Sequence, residues 1–441
     1  MMLQEIRQYV EENRDRFIKD WFELIRHKSV SSDKQAAAQC AEWIADRMRS
    51  MGIAVTLHQL SSNPLIEGRI GSDPLKKTVL IYAHYDVKPA GAPEKWLSDP
   101  FEPTVRDGKV YARGSADNTS PLMAHLEALT FYQREGRELP VNIIYLFEGC
   151  EEEGSAGLPD FLRNNRDRYR ADFVFFSDGS KDPGGLPIIA LGAKGVLGVT
   201  LRVRTMSKNV HSRYAPVLPS AAWRMVELLG KLKQGDAVLI PGFYDGIIPP
   251  APQELEILKK LPDSSGNLEK MYHTRVECYG REFYDRLNNT PTFNISSMVS
   301  GAAGVVPAEA EAHIDIRLVA GQNPDDMKKK LCRYIASLGY DDVEVECDDG
   351  VEPSKTPVTT PWLPMIEQAT KDIYGAYVIY PCRPSTAPDY LWTNVLGLPA
   401  LQVRWSDADS DNHAPNEHLS ICEYLNGIAL TALVLSRAAD V

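Results

Sequence analysis

Runs of consecutive apolar residues alternate with stretches of helical spacing in the first part of the chain, and together they predict strands and helices in turn. The opening stretch, MMLQEIRQYVEENRDRFIKDWFELIRHKSV, places Leu3, Ile6, Val10, Phe17, Trp21 and Leu24 on one face of an amino-terminal helix. Lys34 to Ser50 repeats that pattern, and AVTLHQL reads as a strand. Thr78 to Ala83 is then an unbroken uncharged run, rich in β-branched and aromatic types, which reads as a strand buried on both faces. VNIIYLF (141–147) and ADFVFFS (171–177) read the same way, with a helix-like PDFLRNNRDRY between them. After a Pro/Gly-rich loop from Lys88 to Pro103, Leu122, Met123, Leu126 and Leu129 recur at helical spacing in a helix that Thr119 or Ser120 can cap. Strands alternating with helices imply a parallel sheet.

Near Gly192 the period changes. GVLGVTLRVR reads as a half-buried strand, PSAAWRMVELLGKLK as a helix, TFNISSMVSG and AEAHIDIRLV as strands, PDDMKKKLCRYIASLG as a helix and DDVEVEC as a strand. That order, β-α-β-β-α-β, is ferredoxin-like. A polar insertion from about Pro241 to Pro291 is too long for a structureless loop and is expected to be partly helical. From about Glu352 the first pattern returns, with PWLPMIEQATKDIYG as helix, ALQVRW as buried strand and HLSICEYLNGIALTALVLSRAA as a long closing helix. The expected fold class is α/β, a mostly parallel central sheet flanked by helices. A ferredoxin-like α+β domain at 192–352 splits the larger domain into 1–191 and 353–441.

Composition narrows the function classes. At 44% hydrophobic and 24% charged, with 30 Gly and 30 Pro scattered, the chain reads as an ordinary globular protein. A net charge of −12 argues against a nucleic-acid partner or an anionic membrane surface. The amino terminus lacks the apolar core of a signal peptide, and no 18-residue apolar run is expected to span a membrane. Seven cysteines (Cys40, Cys150, Cys278, Cys332, Cys347, Cys382, Cys422), odd in number and without a CxxC pair, favour a reducing compartment and hence a cytoplasmic protein.

Candidate chemistry collects where strands end. His84 and Asp86 follow the first buried run, Asp117 precedes a helix, Glu151 and Glu152 follow the second run, Asp178 the third, and His413 lies beyond ALQVRW. In open α/β sheets, carboxyl strand ends carry the site. Two imidazoles and several carboxylates, with no thiolate, form a ligand set suited to Zn²⁺, Mn²⁺ or Co²⁺. Five ligands exceed one catalytic zinc, so a carboxylate bridging two ions is expected. Only one of Glu151 and Glu152 can easily bind metal, because neighbours in an extended loop point apart, which leaves the other as a general base. Asp86, two residues beyond His84, can orient its ring. The Asp407, Asp409, Asp411 alternation fails as a calcium loop, finding Asn412 and His418 where Gly and Glu are required. No dinucleotide fingerprint or nucleophile elbow is present. The remaining histidines (His27, His58, His125, His273, His313, His418) are read as structural or surface residues.

The ordered set H84-Y-D86, G114-S-A-D117-N118, E148-G-C-E151-E152-E153-G154-S155, S177-D178 and H413-A-P-N-E resembles a co-catalytic, di-zinc metallopeptidase family. Its members include carnosinase-type and cytosolic non-specific dipeptidases, aminoacylase, bacterial glutamate carboxypeptidase and succinyl-diaminopimelate desuccinylase. The resemblance spans nearly the whole chain. It implies that Asp117 bridges two metals, with a cis peptide to Asn118. It further implies that His84 and Asp178 complete one metal, that Glu152 and His413 complete the other, that Glu151 is the base and that Asp86 orients His84. In the 192–352 lid/dimerisation domain, His211 in NVHS is similar to a histidine that reaches from the partner protomer to polarise the scissile carbonyl. Arg317, in HIDIRL, is similar to an arginine that binds the substrate carboxylate. The chain departs from the dipeptidase pattern where a Gly-Gly-Ser segment is replaced by Cys382-Arg383-Pro384-Ser385-Thr386-Ala387-Pro388, since prolines donate no backbone N–H. Arg383 or Thr386 is the expected substitute. The implied activity is hydrolysis of short peptides by a homodimer carrying two divalent ions, Zn²⁺ first, with Mn²⁺ or Co²⁺ as alternatives. An N-acyl-amino-acid deacylase or desuccinylase with the same di-metal site is the alternative reading.

Overall fold

The structure, a computed structural model, describes residues 2–134, 136–262, 273 and 282–441. In chain order the strands that matter here are β1 (Ala54–His58), β2 (Leu65–Ile70), β3 (Thr78–His84), β4 (Asn142–Glu148), β5 (Phe173–Phe176), β6 (Ile188–Ala190), β7 (Gly195–Arg204), β8 (Asn294–Ser300), β9 (Glu309–Leu318), β10 (Val343–Cys347), β11 (Val378–Tyr380) and β12 (Ala400–Arg404). The longer helices are α1 (Met2–Glu12), α2 (Arg14–Arg26), α3 (Lys34–Ser50), α4 (Ser120–Tyr132), α5 (Ala221–Leu232), α6 (Pro324–Ser337), α7 (Trp362–Tyr374) and α8 (Ile421–Ala438). The chain divides into two compact units. One comprises residues up to Gly192 with Thr356–Pro381 and Leu391–Val441, and the other Ala193–Lys355 with Cys382–Tyr390. The nine-residue stretch Cys382–Tyr390 thus packs with the inserted unit, although the sequence pattern groups it with the returning α/β segment.

The larger unit is built on an eight-stranded sheet in the order β1-β2-β4-β3-β5-β12-β6-β11. Its middle is parallel: β3 lies between β4 and β5, and β5 beside β12, all in the same direction. The β1 and β2 edge is antiparallel, as is the β12–β6 pair. β3 is buried from Val79 to His84, as its uninterrupted run predicts. Its register with β4 runs from Thr78 opposite Asn142 to His84 opposite Glu148, so both strands deliver their carboxyl ends at one level. The core joins Ile6 and Phe17 of the amino-terminal helices, Ile81 of β3, and Leu430 and Val434 of α8. α8 is long and apolar enough to cross a membrane by composition alone, but 72% of that window is buried inside the fold.

Two local expectations are corrected. The amino-terminal helix is two helices, broken at Asn13, whose φ/ψ of −107° and 9° leaves the helical region. Neither Thr119 nor Ser120 caps α4 with its side chain. A π-turn, Ser115–Thr119, leads into α4 instead, and the Thr119 hydroxyl donates to Gly114 O while accepting from Trp21 Nε1.

The inserted unit carries a four-stranded antiparallel sheet in the order β8-β9-β7-β10, the ferredoxin-like arrangement. β7 alternates buried and half-buried positions, and its inner residues Leu197, Val199 and Leu201 pack with Met225 and Leu228 of α5 and with Leu331 of α6. Two short helices, Pro252–Leu258 and Phe283–Asn289, fall in the polar insertion; residues 263–272 and 274–281 of that insertion lie outside the described residues. The described cysteines are free thiols, and Cys278 lies outside the described residues.

Candidate metal centre

Each chemical residue of the larger unit is positioned by a different piece of backbone. His84 is the last residue of β3 and is fully buried. Its Nδ1 lies 3.0 Å from Asp86 O and 3.3 Å from Asp86 Oδ1, which leaves Nε2 facing Asp117 Oδ1 at 2.9 Å. The Asp86 carboxylate accepts from the backbone N–H groups of Glu151 and Glu152, both at 3.1 Å, and from Ser31 Oγ at 2.7 Å. One buried carboxylate therefore orients the imidazole and also fixes the turn that bears both glutamates. That turn, Glu151–Glu153, is a single 3-10 turn rather than extended backbone, so curvature rather than strand alternation sends the two side chains apart.

Asp117 stands in the π-turn before α4, with non-helical φ/ψ of −132° and 98° and a cis peptide to Asn118. Its Oδ2 accepts from Asn412 Nδ2 at 2.7 Å and faces His413 Nε2 at 3.1 Å. The turn is held from below by Glu417, which accepts from the N–H groups of Gly114, Ala116 and Asp117 at 2.9–3.0 Å and from Arg113 Nη1 at 2.6 Å. Asn118 Nδ2 donates to Ser177 O at 2.9 Å, tying the turn to the residue before Asp178. Gln402 of β12 donates to the Asp178 carbonyl at 2.9 Å.

Two donor groups result. His84, Asp117 and Asp178 each bring a ligand atom within 4.8 Å of the others, and so do Asp117, Glu152 and His413. Asp117 is shared, one oxygen to each imidazole. His413 Nε2 is also 3.1 Å from Glu152 Oε2, while Glu152 Oε1 is buried without a hydrogen-bond partner. Glu151 Oε2 stands 4.0 Å from His84 Nε2.

The electrostatics ask for positive charge. Burial lifts the Glu151 carboxyl well above its ordinary value; His84 opposes this, and the Asp178 and Asp117 charges add to it. Hydrogen bonds to Asp117 and Glu152 hold the His413 imidazolium up to about 10, against burial. Burial lowers His84, yet its bonds to Asp117 and Asp86 outweigh that and raise it well above the usual imidazole range. Carboxylates, two imidazoles, an orphaned buried oxygen and no thiolate are a donor set that fits a pair of hard-to-borderline divalent cations.

All seven residues expected at this sheet edge, His84, Asp86, Asp117, Glu151, Glu152, Asp178 and His413, are thus near neighbours. The remaining expected residues belong to the inserted unit. There Arg317 donates from Nη1 to Thr386 Oγ1 at 2.9 Å and from Nε to Asp315 at 2.9 Å. Arg383 is buried and pairs with Asp389 at 2.7 Å, inside its own loop. His211 is exposed, its Nδ1 accepting from Arg213 N at 3.2 Å. The sequence pattern assigns no role to Asn412 or Ser31, and Glu417 enters it only as the last residue of H413-A-P-N-E. Glu417 and Asn412 lie in the DNHAPNEH stretch beside His413, which was their available signal, whereas nothing in the sequence pairs Ser31 with Asp86.

The family model described as Peptidase family M20/M25/M40 matches residues 80–437. The chain is similar to the human Beta-Ala-His dipeptidase, with 26% identity covering 100% of this chain and 93% of the relative. It is similar to the Cys-Gly metallodipeptidase of Schizosaccharomyces pombe, with 25% identity covering 100% of this chain and 99% of the relative. Among solved structures it is similar to an M20 family metallo-carboxypeptidase from Sulfolobus solfataricus, with a TM-score of 0.86 and 29% identity over 96% of this chain and 99% of that one.

Proposed function

The chain belongs to peptidase family M20/M25/M40, and on that premise we propose that it is a metal-dependent dipeptidase working with two divalent ions, zinc first among them. His84, Asp117 and Asp178 would hold one ion, and Asp117, Glu152 and His413 the other. The observation that carries this reading is the Asp117 carboxylate, whose two oxygens face two different imidazoles. Divalent ions held there supply Lewis acidity toward a peptide carbonyl and lower the pKa of water.

The chain's own residues do the rest. Glu151, whose carboxyl burial lifts well above its ordinary value, takes a proton from the attacking water. It then returns that proton to the nitrogen of the leaving amine. Asp86 keeps the Glu151 turn and the His84 ring in fixed relation through its four contacts. Arg317, steadied by Asp315 and Thr386, receives the substrate carboxylate. His211 donates to the developing oxyanion, from the partner protomer of a homodimer. The exposed edge strand β8, with Val299 66% exposed, and Trp223 on α5, 68% exposed, support that dimer. A cytoplasmic location is in keeping with the free thiols at all described cysteines.

The similarity to a metallo-carboxypeptidase favours a second reading, removal of the carboxyl-terminal residue from longer or blocked peptides. One experiment tests both. Products are identified over a panel of dipeptides, tripeptides and N-acyl dipeptides, with metal content determined on the same sample. Cleavage confined to substrates with a free amino group supports the dipeptidase. Cleavage of N-acyl dipeptides supports the carboxypeptidase, and no cleavage of any member by protein carrying two ions rejects both.

A further inference from the structure

Lys88 lies two residues beyond Asp86, on backbone held by Val87, whose N–H donates to Ser29 O at 2.9 Å and whose carbonyl accepts from Ser31 N at 3.2 Å. The Lys88 ammonium is 3.4 Å from Glu152 Oε2 and also donates to the Glu152 backbone carbonyl. Two acceptors on one residue therefore anchor a side chain that is still 35% exposed. Ordering a four-carbon stem costs conformational entropy, so a lysine held this way is placed by its contacts rather than left to solvent.

The carboxylate it faces belongs to only one of the two donor groups, Asp117 with Glu152 and His413. That same group contains the more exposed imidazole. The His413 side chain is 48% exposed, whereas His84, in the other group, is buried. Both differences act in one direction. A fixed monovalent cation cancels part of the negative charge that Glu152 offers and repels a divalent ion brought to the same oxygen. Over a few ångströms in a partly buried site, salt does little to screen this repulsion. The bond to the Glu152 carbonyl keeps the ammonium in place when such an ion arrives.

We propose that Lys88 makes the two metal positions unequal. The ion at His84, Asp117 and Asp178 is retained, the ion at Asp117, Glu152 and His413 is held weakly and exchanges, and the Lys88 charge sets that weaker affinity. The inference rests on the two-metal reading above. Its consequence is an enzyme whose second position fills and empties with free metal concentration while the first stays saturated.

The test is a calorimetric titration of metal-free, full-length protein with Mn²⁺, for wild type and for Lys88→Gln, Lys88→Met and Lys88→Arg. Asp178→Ala and His413→Ala identify which binding step belongs to which position, and circular dichroism reports the fold of each variant. The expected result is two steps in the wild type, with the weaker one lost in His413→Ala. Both neutral Lys88 variants should strengthen that step about tenfold and leave the stronger one unchanged, while Lys88→Arg preserves the gap. A weaker step that is unchanged or weakened further in both neutral variants overturns the role of Lys88 and leaves the two-metal reading standing. Wild-type protein that binds fewer than two ions overturns the two-metal reading itself, and the proposal with it.

Discussion

Asp117 faces two imidazoles at once only because its own backbone is held still, and at the scale of single residues that burden falls on Glu417. Three N–H groups and the Arg113 guanidinium converge on its carboxylate in a fully buried setting. Glu417→Ala leaves all four donors without a partner, and its expected cost is about 3–5 kcal/mol of stability. Glu417→Gln keeps one acceptor and is expected to cost about 1–3 kcal/mol. Denaturant unfolding of the metal-free variants measures both, and equal stability of Glu417→Ala and wild type would remove Glu417 from this role. Glu151 makes a sharper contrast, because its side chain is assigned a proton rather than a structural load. Glu151→Gln should retain two bound ions and native stability while kcat falls at least about 10²–10⁴-fold. Ordinary turnover by a fully loaded Glu151→Gln protein would assign the base elsewhere.

At the scale of elements, what the sequence discloses depends on how local the stabilising contacts are. β3 is legible because its uninterrupted apolar run is the whole of its reason for being buried. β2 is not. Its residues LIEGRI mix Glu67 and Arg69 with apolar positions, and the partners that let Glu67 be buried include Arg168 and Tyr169, about a hundred residues away in the chain. The entry to α4 was misread for the same reason, since the Thr119 hydroxyl serves Gly114 and Trp21 rather than the helix terminus. The candidate donor residues were legible as a set because they follow legible strands or, for Asp117, precede a legible helix, whereas Glu417 and Ser31 act on backbone and carboxylate groups remote in sequence. Glu67 also yields a pH prediction. Burial would raise its carboxyl, but hydrogen bonds from Arg69, Arg168, His58 and Tyr169 prevail and hold it at about 2 instead of 4.5. A depressed carboxyl stabilises the fold above its unfolded value, and that contribution is lost as pH falls from about 4.5 toward 2. Glu67→Gln should therefore be about 2–3 kcal/mol less stable than wild type near neutral pH, and the gap should close through that acidic window. Urea titrations of metal-free protein at a series of pH values would show it. A gap independent of pH would mean the network acts through packing alone. Close approach sets a further limit in the turn after β4. A Cβ on Gly149 would lie 2.3 Å from the Tyr85 ring, whose hydroxyl is bonded to Pro64 O, so Gly149→Ala should displace that ring and cost about 1–3 kcal/mol.

At the scale of the whole molecule the open issue is whether one chain is a complete enzyme. The inserted unit ends its sheet on β8, whose residues are almost all exposed, including Ile295, Met298 and Val299, and its α5 helix presents Trp223 and Val226 to solvent. An unpaired strand edge next to apolar side chains is a surface that a second copy can cover, by pairing like with like about a two-fold axis. His211 is exposed on that same unit. Disrupting the surface and deleting the histidine therefore make linked predictions. Val299→Lys combined with Trp223→Glu should yield monomers by sedimentation, with activity reduced at least about tenfold although the larger unit keeps every metal-facing residue. Complementation separates loss of the histidine from loss of the interface. A His211→Ala protomer keeps Glu151, and a Glu151→Ala protomer keeps His211, so a heterodimer of the two contains one site with both groups if the histidine is delivered across the interface, and none if it serves its own chain. Each homodimer should be nearly inactive, and the purified heterodimer should recover roughly half of wild-type turnover. Verified heterodimers that stay as inactive as their parents would show that His211 acts within its own chain, and the dimer would then have to be explained by stability rather than by catalysis.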